Sequence, residues 1–191
     1  MKKIFILLSF LCFSFSEAQD TYFESSNKVF EKKNEVRIGV AKLLSAVGLD
    51  LNYEMIKDRN QGFGASLYIG FEKDDTFYQN FSVAPYYRFY FTKSEEYGAK
   101  GFFVEGFADF YSGKNIEYVY VSNNSGYNNY GYSYEKRTNF FDIAAGVAIG
   151  KKWVNTSGFV FELKAGYGKN LLNNSFKSGV LRGDASIGYR F

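Results

Sequence analysis

From Glu35 to the end of the chain, apolar and polar side chains alternate with a period of two, interrupted at intervals by short polar or glycine-rich stretches. The last twelve residues, V-L-R-G-D-A-S-I-G-Y-R-F (Val180 to Phe191), show the pattern most clearly. Leu181, Gly183, Ala185, Ile187, Tyr189 and Phe191 fall on one face, and Val180, Arg182, Asp184, Ser186, Gly188 and Arg190 on the other. A period of two with unlike faces is the signature of a strand. The same test predicts seven more: Glu35 to Leu44, Leu49 to Ile56, Phe63 to Glu72, Phe81 to Thr92, Phe102 to Tyr111, Phe141 to Trp153 and Phe159 to Gly168. Pro85 has no N–H to give to a ladder, so a bulge or a locally open pair is expected beside it.

Eight strands is an even number, and each is near the roughly 9 to 11 residues that cross a bilayer at a tilt. The expected fold is therefore all-β: an eight-stranded antiparallel up-and-down transmembrane β-barrel with a polar, ion-paired lumen. In such barrels apolar side chains face lipid and polar ones face inward. Both ends are expected on the periplasmic side, which sends the loops after strands one, three, five and seven outward. The longest, Gly113 to Glu135, is rich in Tyr, Asn, Ser and Gly; it alternates over Ile116 to Val121 and breaks down at Asn123 to Gly126. It reads as a projecting hairpin with a flexible tip, and Tyr127, Tyr130 and Tyr132 are its candidate contacts for an unidentified extracellular partner. Ile187, Tyr189 and Phe191 form the expected signal by which the closing strand engages the barrel-assembly machinery.

The first eighteen residues stand outside this pattern. Lys2 and Lys3 precede an apolar run from Ile4 to Phe15, and Ser16-Glu17-Ala18 is a small-x-small cleavage site, together a secretory signal peptide. Cys12, the single cysteine, leaves with it. Residues 19 to 33 are polar without a period and read as a short periplasmic tail, leaving residues 34 to 191 as one barrel domain. With no cysteine in the exported chain there is no disulfide framework, so stability must come from the ladder and packing.

Charge narrows the function classes. The whole chain carries 23 Lys and Arg against 20 Asp and Glu, a formal +3, and losing Lys2, Lys3 and Glu17 leaves about +2. Nucleic-acid binders carry a concentrated basic footprint, so no nucleic-acid partner is expected; the expected partner is outer-membrane lipid. Aromatic residues make up 21% of the chain and glycine contributes 19 positions, which suits many strands, aromatic girdles and tight turns.

The inward set carries both signs in quantity: Glu35, Asp50, Glu54, Glu72, Glu105, Asp109, Asp142, Glu162 and Asp184 against Arg37, Arg88, Lys164, Arg182 and Arg190. The interior of an eight-stranded barrel is just wide enough for side chains to fill. Arg37, Glu54, Arg88, Glu105, Asp109, Asp142, Glu162, Lys164, Arg182, Asp184 and Arg190 are therefore expected to pair across the lumen. The chain has no histidine, which excludes Ser-His and Cys-His nucleophile activation. Glu105 with Asp109, or Asp142, is the carboxylate pair left for acid–base work, and in a small barrel such residues are more often partners of arginine. No metal or cofactor pattern is present. The expectation is a non-enzymatic barrel; the alternatives are a narrow channel for small solutes and a soluble, lipocalin-like periplasmic barrel around an apolar ligand.

Four segments carry a resemblance: P-Y-Y-R-F-Y-F (Pro85 to Phe91), G-F-F-V-E-G-F (Gly101 to Phe107), K-K-W-V-N-T-S-G-F-V-F-E (Lys151 to Glu162) and the terminal G-Y-R-F. They resemble the small outer-membrane barrel proteins, a domain of unknown function, common in Bacteroidetes. The resemblance runs from about Asn34 to Phe191 and is weakest over Gly113 to Glu135. It implies an OmpA/OmpX-like eight-stranded barrel in the outer membrane, and it brings no activity or catalytic residues.

Overall fold

The computed structural model describes residues 32–71, 79–91, 98–125 and 128–191, without the side chains of 122–130. The leader, nearly all of the N-terminal tail, Glu72 and Tyr127 lie outside the described residues. Eight strands follow in order: β1 (Asn34–Gly39), β2 (Gly48–Ile56), β3 (Gln61–Gly70), β4 (Gln79–Tyr90), β5 (Gly101–Ser125), β6 (Asn128–Val154), β7 (Phe159–Asn170) and β8 (Gly179–Arg190). Each pairs antiparallel with its neighbours, and β8 returns to β1, so the sheet closes into an up-and-down barrel.

The register fixes the dimensions. Followed across the ladder, Glu35 leads through Glu54, Gly64, Tyr86, Phe107, Gly146 and Gly168 to Val180, whereas the residue of β8 that pairs with Glu35 is Arg190, ten positions further on. That shear, with strand spacings of about 4.8 Å and about 3.3 Å per residue, gives a tilt of about 40° and a backbone radius of about 8 Å. Such a cylinder is filled by its own side chains.

The apolar set faces out and the polar set faces in. Val36, Ile38, Phe63, Ile69, Phe89, Ile149, Leu163 and Leu181 are exposed, while Glu35, Arg37, Glu54, Arg88, Glu105 and Asp142 have no accessible surface at all. Glycine makes room for the largest inward groups: a Cβ on Gly188 would sit 2.6 Å from Arg37 Cγ, and one on Gly146 would sit 2.7 Å from the Phe107 ring.

Two local features differ from the sequence pattern, and a third, at Pro85, takes one of the two forms expected of it. The first predicted strand ends early, at Gly39, and Val40–Leu44 form a single helical turn, α1. Ala41, Lys42, Leu43 and Leu44 are good helix formers, and the N–H groups of Ala41 and Lys42 donate to Asp184 Oδ1 at 3.0 and 3.4 Å, which holds the turn against β8. The second is the β5–β6 ladder, which runs unbroken from Gly101↔Lys152 to Ser125↔Asn128; the expected breakdown at Asn123 is replaced by pairing up to Ser125. The third is at Pro85, which pairs with Ala65 on one side. On the other side, pairing stops at Val83↔Phe110 and resumes in the same register at Tyr86↔Phe107, so the ladder is locally open, and the register shift lies at Gln79/Phe81 instead. The β6–β7 connection is a tight turn in which Asn155 Oδ1 accepts from the N–H groups of Ser157 and Phe159, and Gly158 supplies a φ of +97°.

Candidate functional site

The inward residues converge on one network in the lower half of the lumen, at the end of the barrel where Asn34 and Phe191 lie. Arg88 on β4 is its hub. Its guanidinium bonds Glu105 on β5 (2.7 Å), Glu54 on β2 (2.7 Å) and Glu162 on β7 (2.7 and 3.0 Å), three carboxylates brought from different walls. The ring centres of Tyr86 and Phe103 lie 4.5 and 4.3 Å from its central carbon, two cation–π contacts that help to hold the fork. Arg37 meets Glu35, Glu54 (2.9 Å) and Glu162 (3.5 Å) and donates to the Tyr86 hydroxyl at 3.0 Å. Tyr90 donates its hydroxyl to Glu54.

Arg190 closes the bottom. It donates to Glu35 at 2.7 Å and to the carbonyls of Gly98 and Ala99 at 2.8 and 2.9 Å, which ties β8 to the β4–β5 connection across the lumen. At the upper edge, Lys164 and Arg182 approach Glu105 at 3.6 and 3.4 Å, and Arg182 also donates to Ser66 Oγ at 2.8 Å. Burying ions in a medium of low dielectric is tolerable only when each is paired and its hydrogen bonds are filled. Sharing each glutamate among two or three cations supplies the pairing, while Nε of Arg37 and Nε of Arg182 are buried without a hydrogen-bond acceptor.

Lys152 belongs to the same network and is missing from the sequence-based set. It is fully buried, 2.7 Å from Glu35 and 2.9 Å from Glu54, over the Tyr90 ring. The alternation along β6, followed one step past Gly150, places it inward, so the signal was present. Of the expected network, Arg37, Glu54, Arg88, Glu105, Glu162, Lys164, Arg182 and Arg190 are brought together.

Asp109, Asp142 and Asp184 are inward but stand apart from the ion pairs. Asp142 sits at the upper mouth and accepts from four backbone N–H groups, those of Ile143, Leu172, Asn174 and Ser175, at 2.7 to 3.1 Å. It organises the β7–β8 loop rather than a lumen bridge. Asp184 holds α1 as described, and Asp109 accepts from Gln79 at 3.4 Å. The division has a physical reason: glutamate is one methylene longer and reaches the barrel axis, whereas aspartate serves groups near its own wall.

Around Asp109 the upper lumen keeps a polar cavity of about 20 Å³ that also touches Lys42, Asp50, Tyr68 and Arg182. That is room for about one water. Lys42 enters it from α1, 2.5 Å from Asp50. Among the described residues, the inward charges are then Glu35, Asp50, Glu54, Glu105, Asp109, Asp142, Glu162 and Asp184 against Arg37, Lys42, Arg88, Lys152, Lys164, Arg182 and Arg190, which is close to neutral.

The remaining predicted positions are on the outside. Ile187, Tyr189 and Phe191 all face outward, with Tyr189 edge-on to Phe159 at 5.6 Å, and Phe191 exchanges backbone hydrogen bonds with Asn34 at 2.8 and 3.1 Å. Tyr132 is exposed on the projecting ribbon beside Tyr134, at 6.4 Å between rings. Tyr130 pairs with Asn123 through its backbone, its side chain lying outside the described set, as does all of Tyr127. The chain matches no protein-family model, no curated protein and no solved structure.

Proposed function

We propose that this chain is a non-enzymatic integral outer-membrane β-barrel, exported by a cleaved signal peptide, whose rigid wall presents the β5–β6 hairpin outside the cell. The observation that carries the reading is the inverted polarity: an apolar, aromatic exterior around a charged interior. A barrel dissolved in water with so much contiguous apolar surface would associate, whereas a bilayer covers it. A twelve-residue strand at a tilt of about 40° rises roughly 30 Å, enough for an apolar band of about 25 Å. Among the described strand residues below the hairpin, the outward charges are Lys151, near the lower ends of the strands, and Lys169, near the upper ends. Phe89, Phe102, Trp153, Phe159 and Tyr189 form an aromatic belt at the lower boundary, as girdles do at membrane interfaces.

The lumen supports a plug rather than a pathway, because Arg88 and its three glutamates span it from wall to wall. The engagement of Glu105 by three cations and of Asp142 by four N–H groups supports the non-enzymatic reading. The closing strand, with Ile187, Tyr189 and Phe191 displayed outward, is the surface offered to the assembly machinery. The kinship with the small outer-membrane barrels of Bacteroidetes belongs to the same proposal. Membrane fractionation with heat-modifiable gel mobility tests it: the protein is expected in the outer-membrane fraction, migrating faster unboiled than boiled. Recovery in the soluble periplasmic fraction would overturn it.

A further inference from the structure

The outer wall is not uniform. Across β5, β6 and β7 lies an apolar groove of about 530 Å³ with Phe91, Phe102 and Val104 on one side and Ile149, Leu163 and Ala165 on the other. Gly150 and the backbone of Phe103, Lys164 and Asp184, whose side chains point into the lumen, contribute only its floor. The groove is shallow and open along its outer side, a form that suits a chain lying along the wall rather than an enclosed ligand. Small outward residues, Ala165 with Gly183 and Ala185 beside it on β8, keep the wall low, while Phe91 and Phe102 rise above it.

Lys151 stands at the lower end of this groove, directly opposite Phe102 in the ladder. Its ammonium lies 4.8 Å from the Phe102 ring centre and 5.0 Å from that of Trp153, so two aromatic faces hold it in place. No carboxylate among the described residues pairs with it. The charges on the adjacent ladder positions, Lys152, Glu162 and Lys164, face the opposite side of the wall. Cations at a membrane boundary keep their heads at headgroup level. An unpaired ammonium fixed at that level, continuous with an apolar trough, has the two elements of a lipid site: a counter-charge for a phosphate and a bed for an acyl chain.

We propose that this groove binds an anionic glycerophospholipid of the inner leaflet, its phosphate on Lys151 and an acyl chain along Ile149, Leu163 and Ala165. The inference rests on the membrane reading above and adds a site to it. The full exported chain is to be folded into phosphatidylcholine vesicles with or without phosphatidylglycerol, extracted in mild detergent, and its retained lipid counted by native mass spectrometry. One lysine near an anionic surface corresponds to roughly fivefold preference. The expected result is a preference of that size for phosphatidylglycerol, abolished by Lys151→Gln, kept by Lys151→Arg and untouched by Lys169→Gln. Ala165→Phe, which fills the trough, is expected to lower retention of both lipids, and it carries the test if Lys151→Gln does not fold. Insertion with a normal heat-dependent band shift but equal retention of the two lipids would overturn the site and leave the membrane reading standing. Failure to insert into either vesicle would overturn both.

Discussion

Arg88 and Glu105 stand directly opposite each other in the β4–β5 ladder and share two N–H···O contacts of 2.7 and 2.6 Å, Nε and Nη2 both reaching Oε2. The geometry leaves Nη1 free to turn across the lumen to Glu54 and Glu162. One cross-strand pair thereby becomes the centre of a bridge between four walls.

Arg88→Met is therefore expected to be severe. It leaves buried carboxylates short of a counter-ion, a loss of about 3 to 5 kcal/mol when one partner of a buried pair is removed. Urea unfolding of the barrel refolded in vesicles measures it, and a cost under about 1 kcal/mol would contradict the hub. The intact network is also expected to give no resolved single-channel steps in planar bilayers. Well-defined steps in the wild-type protein would refute the plug.

Position along the wall should set the cost of an outward charge. Val147, exposed and midway along the wall, pairs with Gly106 and Tyr167; Val147→Arg is expected to destabilise by about 2 to 4 kcal/mol. Tyr189→Arg, at the lower boundary, is expected to cost about 0 to 1 kcal/mol in membrane terms. Equal costs in the same unfolding assay would contradict the placement of the bilayer.

The projecting ribbon should be much less stable than the barrel beneath it. Among the described residues, the β4 side of β5 is paired up to Gly113, and the β7 side of β6 down from Ala144 with Leu171 and Asn174 still donating to the Ile143 and Phe141 carbonyls, so from Phe140 upward the described part of the ribbon pairs strand to strand alone. An isolated two-stranded hairpin is marginal in water. Amides of Val119, Val121, Tyr132 and Tyr134 are expected to exchange with solvent deuterium far faster than those of Glu105 and Ala148. Deleting residues 122 to 130 should keep the heat-dependent band shift and abolish surface adhesion; adhesion that survives the deletion would count against the hairpin as the contact surface.

Asp142 should matter locally. Asp142→Ala removes the acceptor of four N–H groups and is expected to cost about 1 to 3 kcal/mol, with faster proteolysis of residues 171 to 178. Unaltered cleavage of that loop would show that its shape is held by something else, such as the Asn115 contacts to Asn174 and Phe176 at 2.9 and 3.1 Å.

The division between what was legible in the chain and what was not follows the range of each interaction. A period of two is local: side chains of successive strand residues must point to opposite faces. For that reason the eight strands, the two unlike faces and the inward placement of Arg37, Glu105 and Arg190 were readable from the sequence, and Lys152 was too. The helical turn at Val40–Leu44 was not, because Val40 continues the alternation of Val36 and Ile38 and the acceptor that secures the turn, Asp184, lies 142 and 143 residues away from the two N–H groups it holds. Nor could the sequence say that Arg88 reaches Glu162, 74 residues on, while Asp142 turns to backbone N–H groups. Those meetings depend on the shear at which the sheet closes and on the one-methylene difference between glutamate and aspartate in a lumen of fixed width. Alternation determined which side of the wall each residue occupies; closure of the cylinder decided which residues meet inside it.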